Sequence, residues 1–238
     1  DITTNDIRYY LAMYQEQRKI SMSYMDTIRR YLSSFFAWIS DEGYISRNPM
    51  RRLKKIKVPR MIKKPFSQAE MEHLRCNAGC QRDIAIMAFL YSTAARIGEV
   101  VRLNRKDIDW GNKEVIIYGE KGKKERRVYL TDDCAYHLQK YLSTREDNNP
   151  ALFVSNKQPH TRLGKQAIQS MLRTLGSKTE IHAHPHKFRR TLLTDAGNRG
   201  IPLQEIQMYA GHQKPDTTMM YVTVSEENVK ASFRRYIS

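Results

Sequence analysis

The residues best suited to chemistry lie in five short segments. Thr93-Ala94-Ala95-Arg96-Ile97-Gly98-Glu99 carries a guanidinium at Arg96, and Gly119 to Arg126 (G-E-K-G-K-K-E-R) carries an ammonium at Lys121. Pro185-His186-Lys187-Phe188-Arg189 sets His186 and Arg189 three residues apart, on one face of a helix. Ala210-Gly211-His212 presents a further imidazole, and Thr217 to Tyr221 (T-T-M-M-Y) presents a phenol nine residues later. Arginine binds anionic oxygens in a bidentate fork that lysine lacks, so Arg96 and Arg189 suit a phosphate or a carboxylate. Taken singly, each has an ordinary structural explanation: Tyr221 is one of 14 tyrosines, and a lone cation in so basic a chain is usually a surface charge.

Other chemistries find less support. There is no Gly-rich nucleotide loop, no G-x-S-x-G elbow and no H-E-x-x-H pair. His182, His184 and His186 alternate in H-A-H-P-H, but a metal site needs ligands converging from several elements. His73, Cys76 and Cys80 lack a second ligand pair, and reduced cysteines in a small loop explain them better. No metal and no other cofactor is expected.

Taken together, in this order and spacing, the segments resemble the tyrosine recombinase (phage integrase) family of site-specific recombinases, over essentially the whole chain. The resemblance implies a mainly α fold with a small antiparallel β-sheet or hairpin. It places a helical core-binding, DNA-binding domain at 1–57, a basic linker at 58–65 and an α+β catalytic domain at 66–238. Arg96 then corresponds to the first catalytic arginine, Lys121 to the hairpin lysine, His186 and Arg189 to the H-x-x-R pair, His212 to the His/Trp position and Tyr221 to the nucleophile. Two departures stand out: Thr93-Ala94-Ala95-Arg96 where the family often has T-G-L-R, and Arg190 where a histidine is commoner. Lys123 and Lys124 stand beside Lys121 in the same turn. Arg190 is either a further phosphate contact or a solvent-facing charge.

The implied reaction suits these residue types. Displacement at a phosphodiester passes through a dianionic, five-coordinate phosphorus, which Arg96, Arg189 and His212 would stabilise as fixed donors. Tyr221 would attack to form a 3′-phosphotyrosine, with His186 taking the phenol proton and Lys121 protonating the departing 5′-oxygen. The covalent link conserves bond energy, so ATP and metal are not required.

The elements that must position these groups are legible in outline. Thr3 or Asn5 can cap a first helix through Ile7, Tyr10, Leu11 and Tyr14. Ser23 can cap a second, with Tyr24, Ile28, Tyr31, Leu32, Phe35 and Ile39 as its core face and Gly43 as its stop. Ser67 and Glu70 form a capping box for a short helix. Gln81 to Ala95 reads as an apolar helix, with Ile97 to Leu103 continuing helical. Glu114 to Tyr118 and Arg126 to Leu130 read as a hairpin turning at 119–124, and Leu152 to Ser155 as a short strand. Helices are expected near 132–143, 164–175, 186–198 and from Pro202 to Gly211. Two more are expected at 216–221 and 226–236. In the family, tails such as the one holding Ala231, Phe233, Tyr236 and Ile237 pack on a neighbouring protomer. This implies a monomer when free and a homotetramer on two duplexes.

Charge narrows the class of partner. The 238 residues hold 41 Lys and Arg against 25 Asp and Glu, a net charge of +16. Residues 1–46 sum to −1, whereas 47–64 contain nine bases and no acid. A polyanion is the favoured partner, and double-stranded DNA fits best. Candidate DNA contacts are Arg51, Arg52, Lys54, Lys55, Lys57, Arg60, Lys63 and Lys64 in the basic tract, with Arg30 on the polar face of the second helix. Arg162, Lys165 and Arg173, with Gln166 and Gln169, are candidates on a helix at 162–173, and Arg190 completes the set. Thr27, Ser33 and Ser34 could also touch phosphates.

At 40% hydrophobic residues a core can form, which excludes a wholly disordered chain. No apolar run approaches a membrane span, and three cysteines are too few for a disulfide framework, so a reduced cytoplasmic setting is expected. The first residue is Asp1 rather than Met, which leaves room for a segment upstream such as an arm-binding domain. A mobile element's integration or excision is the expected setting. The competing readings are a type IB topoisomerase-like nicking and closing enzyme, and a DNA-binding protein without catalysis.

Overall fold

The computed structural model describes residues 2–58, 64–119 and 125–211. The chain divides into two compact units, Asp1–Lys63 and Lys64–Ser238. Lys121, His212, Tyr221, Arg60 and Lys63 lie outside the described residues, as do the helices expected at 216–221 and 226–236 and the terminal apolar residues.

The first unit is built on α1 (Thr4–Arg18) and α2 (Met22–Asp41). Thr3 caps α1, its hydroxyl accepting from the Asp6 N–H while Asp6 accepts from the Thr3 N–H. Ser21, rather than Ser23, caps α2. A small core gathers Ile7, Leu11, Met25, Phe36 and Met50.

The face of α2 differs from its expected core stripe. Ile28, Leu32 and Ile39 pack on this core, but Tyr24, Tyr31 and Phe35 are exposed. At 100° per residue, Met25, Ile28, Leu32, Phe36 and Ile39 share one narrow arc, and the three exposed aromatics lie to its side. The apolar contacts with α1 and with the chain near Met50 fall on that arc. In the basic tract, Met50, Leu53 and Ile56 turn into the same core while Arg51, Arg52, Lys54, Lys55 and Lys57 remain exposed.

The second unit surrounds α4 (Gln81–Thr93), which packs on α6 (Asp132–Ser143) and α8 (Pro185–Asn198). Ile86, Phe89 and Leu90 are fully buried along α4. The remaining helices are α3 (Gln68–Cys76), α5 (Ile97–Val100), α7 (Lys165–Thr179) and α9 (Leu203–Ala210). Strands β1 (Ile108–Asp109), β2 (Glu114–Tyr118) and β3 (Glu125–Tyr129) form an antiparallel sheet in the order β1-β2-β3. The sheet buries Val115, Ile117 and Val128, as the two-residue alternation requires.

Three expectations need correction. Residues 152–155 form no ladder; Ala151 bridges Asn104 and Val154 bridges Arg162, each singly. Arg162 therefore precedes α7, which starts at Lys165, and does not share that helix's face. Helix α5 also ends at Val100, short of Leu103.

α8 secures the start of this unit. The buried Phe66 N–H donates to the Thr191 hydroxyl at 2.9 Å, and the Lys187 ammonium lies 4.1 Å from the Phe66 ring centroid and 3.4 Å from Glu70. No described helix is long and apolar enough to cross a membrane.

Candidate active site

Helix α4 ends at Thr93, and Ala94 turns the chain with φ of +47°. That is the left-handed region where a glycine would meet no Cβ penalty, so Ala94 holds this turn at a cost that its Cβ imposes. The Thr93 hydroxyl helps, accepting from the Ala95 N–H at 3.2 Å. The turn delivers Arg96 as the cap of α5, with φ −70° and ψ 144°.

Glu99, one turn on, is the acid of this site. Its side chain is fully buried. One carboxylate oxygen accepts from the Arg96 backbone N–H at 2.7 Å and from Arg126 Nη2 at 2.7 Å. The other accepts from Arg96 Nη1 at 3.2 Å and from Arg126 Nη1 at 3.0 Å. Burial pushes this carboxyl's pKa up, but the bonds and charge of Arg126, with the help of Arg96, outweigh it and hold it below its usual value.

Pro185 occupies the first turn of α8, where its missing N–H costs nothing. That turn places His186 at the surface and Arg189 in the interior, 1% exposed. Arg189 donates from Nη1 to the Ala94 carbonyl and from Nη2 to the Ala210 carbonyl, tying α4, α8 and α9 together. Arg96 Nη2 donates to the Gly211 carbonyl at 3.2 Å, so both guanidiniums meet the last turn of α9 immediately before His212. Gly211 itself has φ of +63°.

Arg96, His186 and Arg189 line one cavity of about 840 Å³. Lys165, Gln169 and Arg173 from α7 line it as well. His182 and His184 also line it, with ring centroids 5.1 Å apart. Among the described residues no group of three His, Cys, Asp or Glu could hold a metal ion. The cavity thus collects cations and imidazoles at the end of two helices, an arrangement matched to a polyanion.

The remaining candidates differ in exposure and in what their side chains meet. Lys165 and Arg173 are exposed on α7, and Lys64 is exposed at the unit's start. Arg190 is 8% exposed, with Nη1 3.5 Å from the Lys64 carbonyl, so it faces the incoming chain and neither solvent nor the cavity. Arg162 spends its donors on the carbonyls of Val101 and Leu103 and on Asn104. In the first unit Arg30 stays exposed while reaching Thr27 at 3.1 Å. Arg126 was not among the residues singled out in the sequence. Its signal was there: an arginine in register with Val128 and Leu130 on the inward side of a strand must find a buried acid.

The comparisons with known proteins agree with this fold. The chain belongs to the phage integrase family, whose pattern matches residues 46–228. These are the tyrosine site-specific recombinases, enzymes that break and rejoin DNA, and DNA is accordingly the partner. The tyrosine recombinase XerA of Pyrococcus horikoshii is 26% identical over 98% of this chain and 80% of its own length. The tyrosine recombinase XerC of Chlamydia caviae is 30% identical over 94% of this chain and 74% of its own. The solved structure of the Tn1549 transposon integrase with a circular intermediate DNA shares the fold. Its TM-score is 0.79 over 99% of this chain and 86% of that one, at 18% identity.

Proposed function

We propose that this chain exchanges DNA strands at specific sites through a 3′-phosphotyrosine on Tyr221. The observation that carries the proposal is the convergence of Arg96 and Arg189, from separate helices, on one cavity that His186 also lines. In the reaction the phenol oxygen of Tyr221 bonds to phosphorus and the bond to the 5′-oxygen breaks. His186 takes the phenol proton, Lys121 gives a proton to the leaving 5′-oxygen, and Arg96, Arg189 and His212 hold the non-bridging oxygens. Attack by a 5′-hydroxyl on the phosphotyrosine reverses these steps and restores a phosphodiester. Neither metal nor ATP takes part.

The first unit is the core-binding domain in this reading, and the exposed cations of the basic tract neutralise phosphates. Lys165 and Arg173 contact phosphates beside the cavity. Four protomers act on two duplexes, and the free protein is a monomer. Integration and excision of a mobile element is the setting we assign, and it rests on the family alone.

Trapping on nicked duplexes from the flanks of the encoding element tests the reading. Wild type should retain DNA on a denaturing gel without added metal or ATP, and Tyr221→Phe should retain none. An adduct in both proteins would move the nucleophile to another tyrosine. Relaxation of plasmid without site preference would favour the topoisomerase-like reading.

A further inference from the structure

We propose that Arg126 is a positioning residue of this site: it holds Glu99, through Glu99 it aims Arg96, and it anchors the turn that leads to His212. The proposal rests on the strand-exchange reading for its reaction, but its geometry stands apart from it.

Arg126 lies opposite Ile117 in the β2–β3 ladder and on the same inward face as Val128. Its side chain is 11% exposed. All three guanidinium nitrogens are used: both Nη donate to Glu99, and Nε donates to the Tyr209 carbonyl at 3.0 Å. Gly211 packs against the same side chain, since a Cβ there would lie 3.1 Å from Arg126 Cδ and 3.2 Å from Nη1.

Arg96 needs such support. Its side chain is 39% exposed, so packing does not fix it. Its orientation comes from Glu99 and from the Gly211 carbonyl, and Arg126 touches both. Without Arg126 the buried carboxylate keeps Arg96 as its one charged partner among the described residues, and the last turn of α9 loses a donor. Glu99 must then shift toward Arg96 or take up a proton, and either changes where the Arg96 guanidinium sits. Arg126 is also five residues beyond Lys121 in the sequence, on β3. One guanidinium therefore joins β3, α5 and the end of α9, the three elements next to Lys121, Arg96 and His212.

The test is Arg126→Gln and Arg126→Lys, each made in wild type and in Arg96→Lys, at a temperature where all four are folded. Adduct formation is followed at saturating duplex, with DNA affinity measured separately. Arg126→Gln should leave affinity unchanged and slow adduct formation by about tenfold to a hundredfold, the usual effect of misplacing a reacting group. In the Arg96→Lys background it should have little further effect, and Arg126→Lys should fall between. An equal loss in both backgrounds, or none in wild type, would overturn the proposal. Arg126→Lys carries the comparison if the glutamine variant does not fold. In parallel, arginine side-chain NMR of the free protein should show slowed guanidinium rotation for Arg96 in wild type and faster rotation in Arg126→Gln. A wild type without adduct would refute strand exchange, and the NMR comparison would then decide the positioning role alone. Identical Arg96 signals in both proteins would overturn it.

Discussion

Glu99 is the residue on which the site's charge balance turns. Its carboxylate is buried and answers two guanidiniums from different elements. Removing its charge leaves both facing a neutral partner, so Glu99→Gln should cost about 3–5 kcal/mol, the range for a broken buried pair. The pH dependence has a definite sign. A carboxyl held below its ordinary value of 4.5 stabilises the fold above that pH, and the contribution is lost as pH falls through the lower folded value. Denaturant midpoints of wild type and Glu99→Gln should therefore differ most at neutral pH and converge on acidification below 4.5. A gap that stays constant into acid would contradict this. Arg96, Arg189 and His186 were legible in the sequence because their spacing is a local pattern. The inward arginine that completes the ion pair was not, because Arg126 and Glu99 lie 27 residues apart.

Among the elements, α8 does two jobs. Its first turn presents His186 and Arg189, and Thr191 on its next turn receives the Phe66 N–H. Thr191→Val keeps the shape and removes the acceptor, leaving a buried donor unsatisfied. A loss of about 1–3 kcal/mol is expected, read from the urea midpoint. No change would mean that water replaces the hydroxyl. Caps and stops were readable at this scale: Thr3, the Ser67–Glu70 box, and the left-handed Gly200 and Gly211 all fall where local backbone chemistry places them. The faces were less so. Tyr24, Tyr31 and Phe35 satisfy a helical period yet stay exposed, because periodicity marks an apolar side without saying how wide an arc the partner covers.

For the whole molecule, charge is the governing quantity. With five exposed cations at 51–57 and others around the cavity, about six phosphate contacts are reasonable, and log affinity should fall with log salt at a slope near −5. Binding of duplex fragments across a salt series measures it. A slope near zero would remove the basic tract from the interface.

By itself the sequence determined the order and spacing of the reactive groups, the helix ends and the concentration of positive charge before residue 65. These are properties of neighbours along the chain, and propensity, period and capping act over a few residues. Tertiary structure decided which cations remain available. It buried Arg189 against the Ala94 and Ala210 carbonyls, turned Arg190 to Lys64, committed Arg162 to Val101 and Leu103, and brought Arg126 to Glu99. A guanidinium's role depends on which acceptors the fold brings within 3 Å, and here those acceptors come from remote parts of the chain.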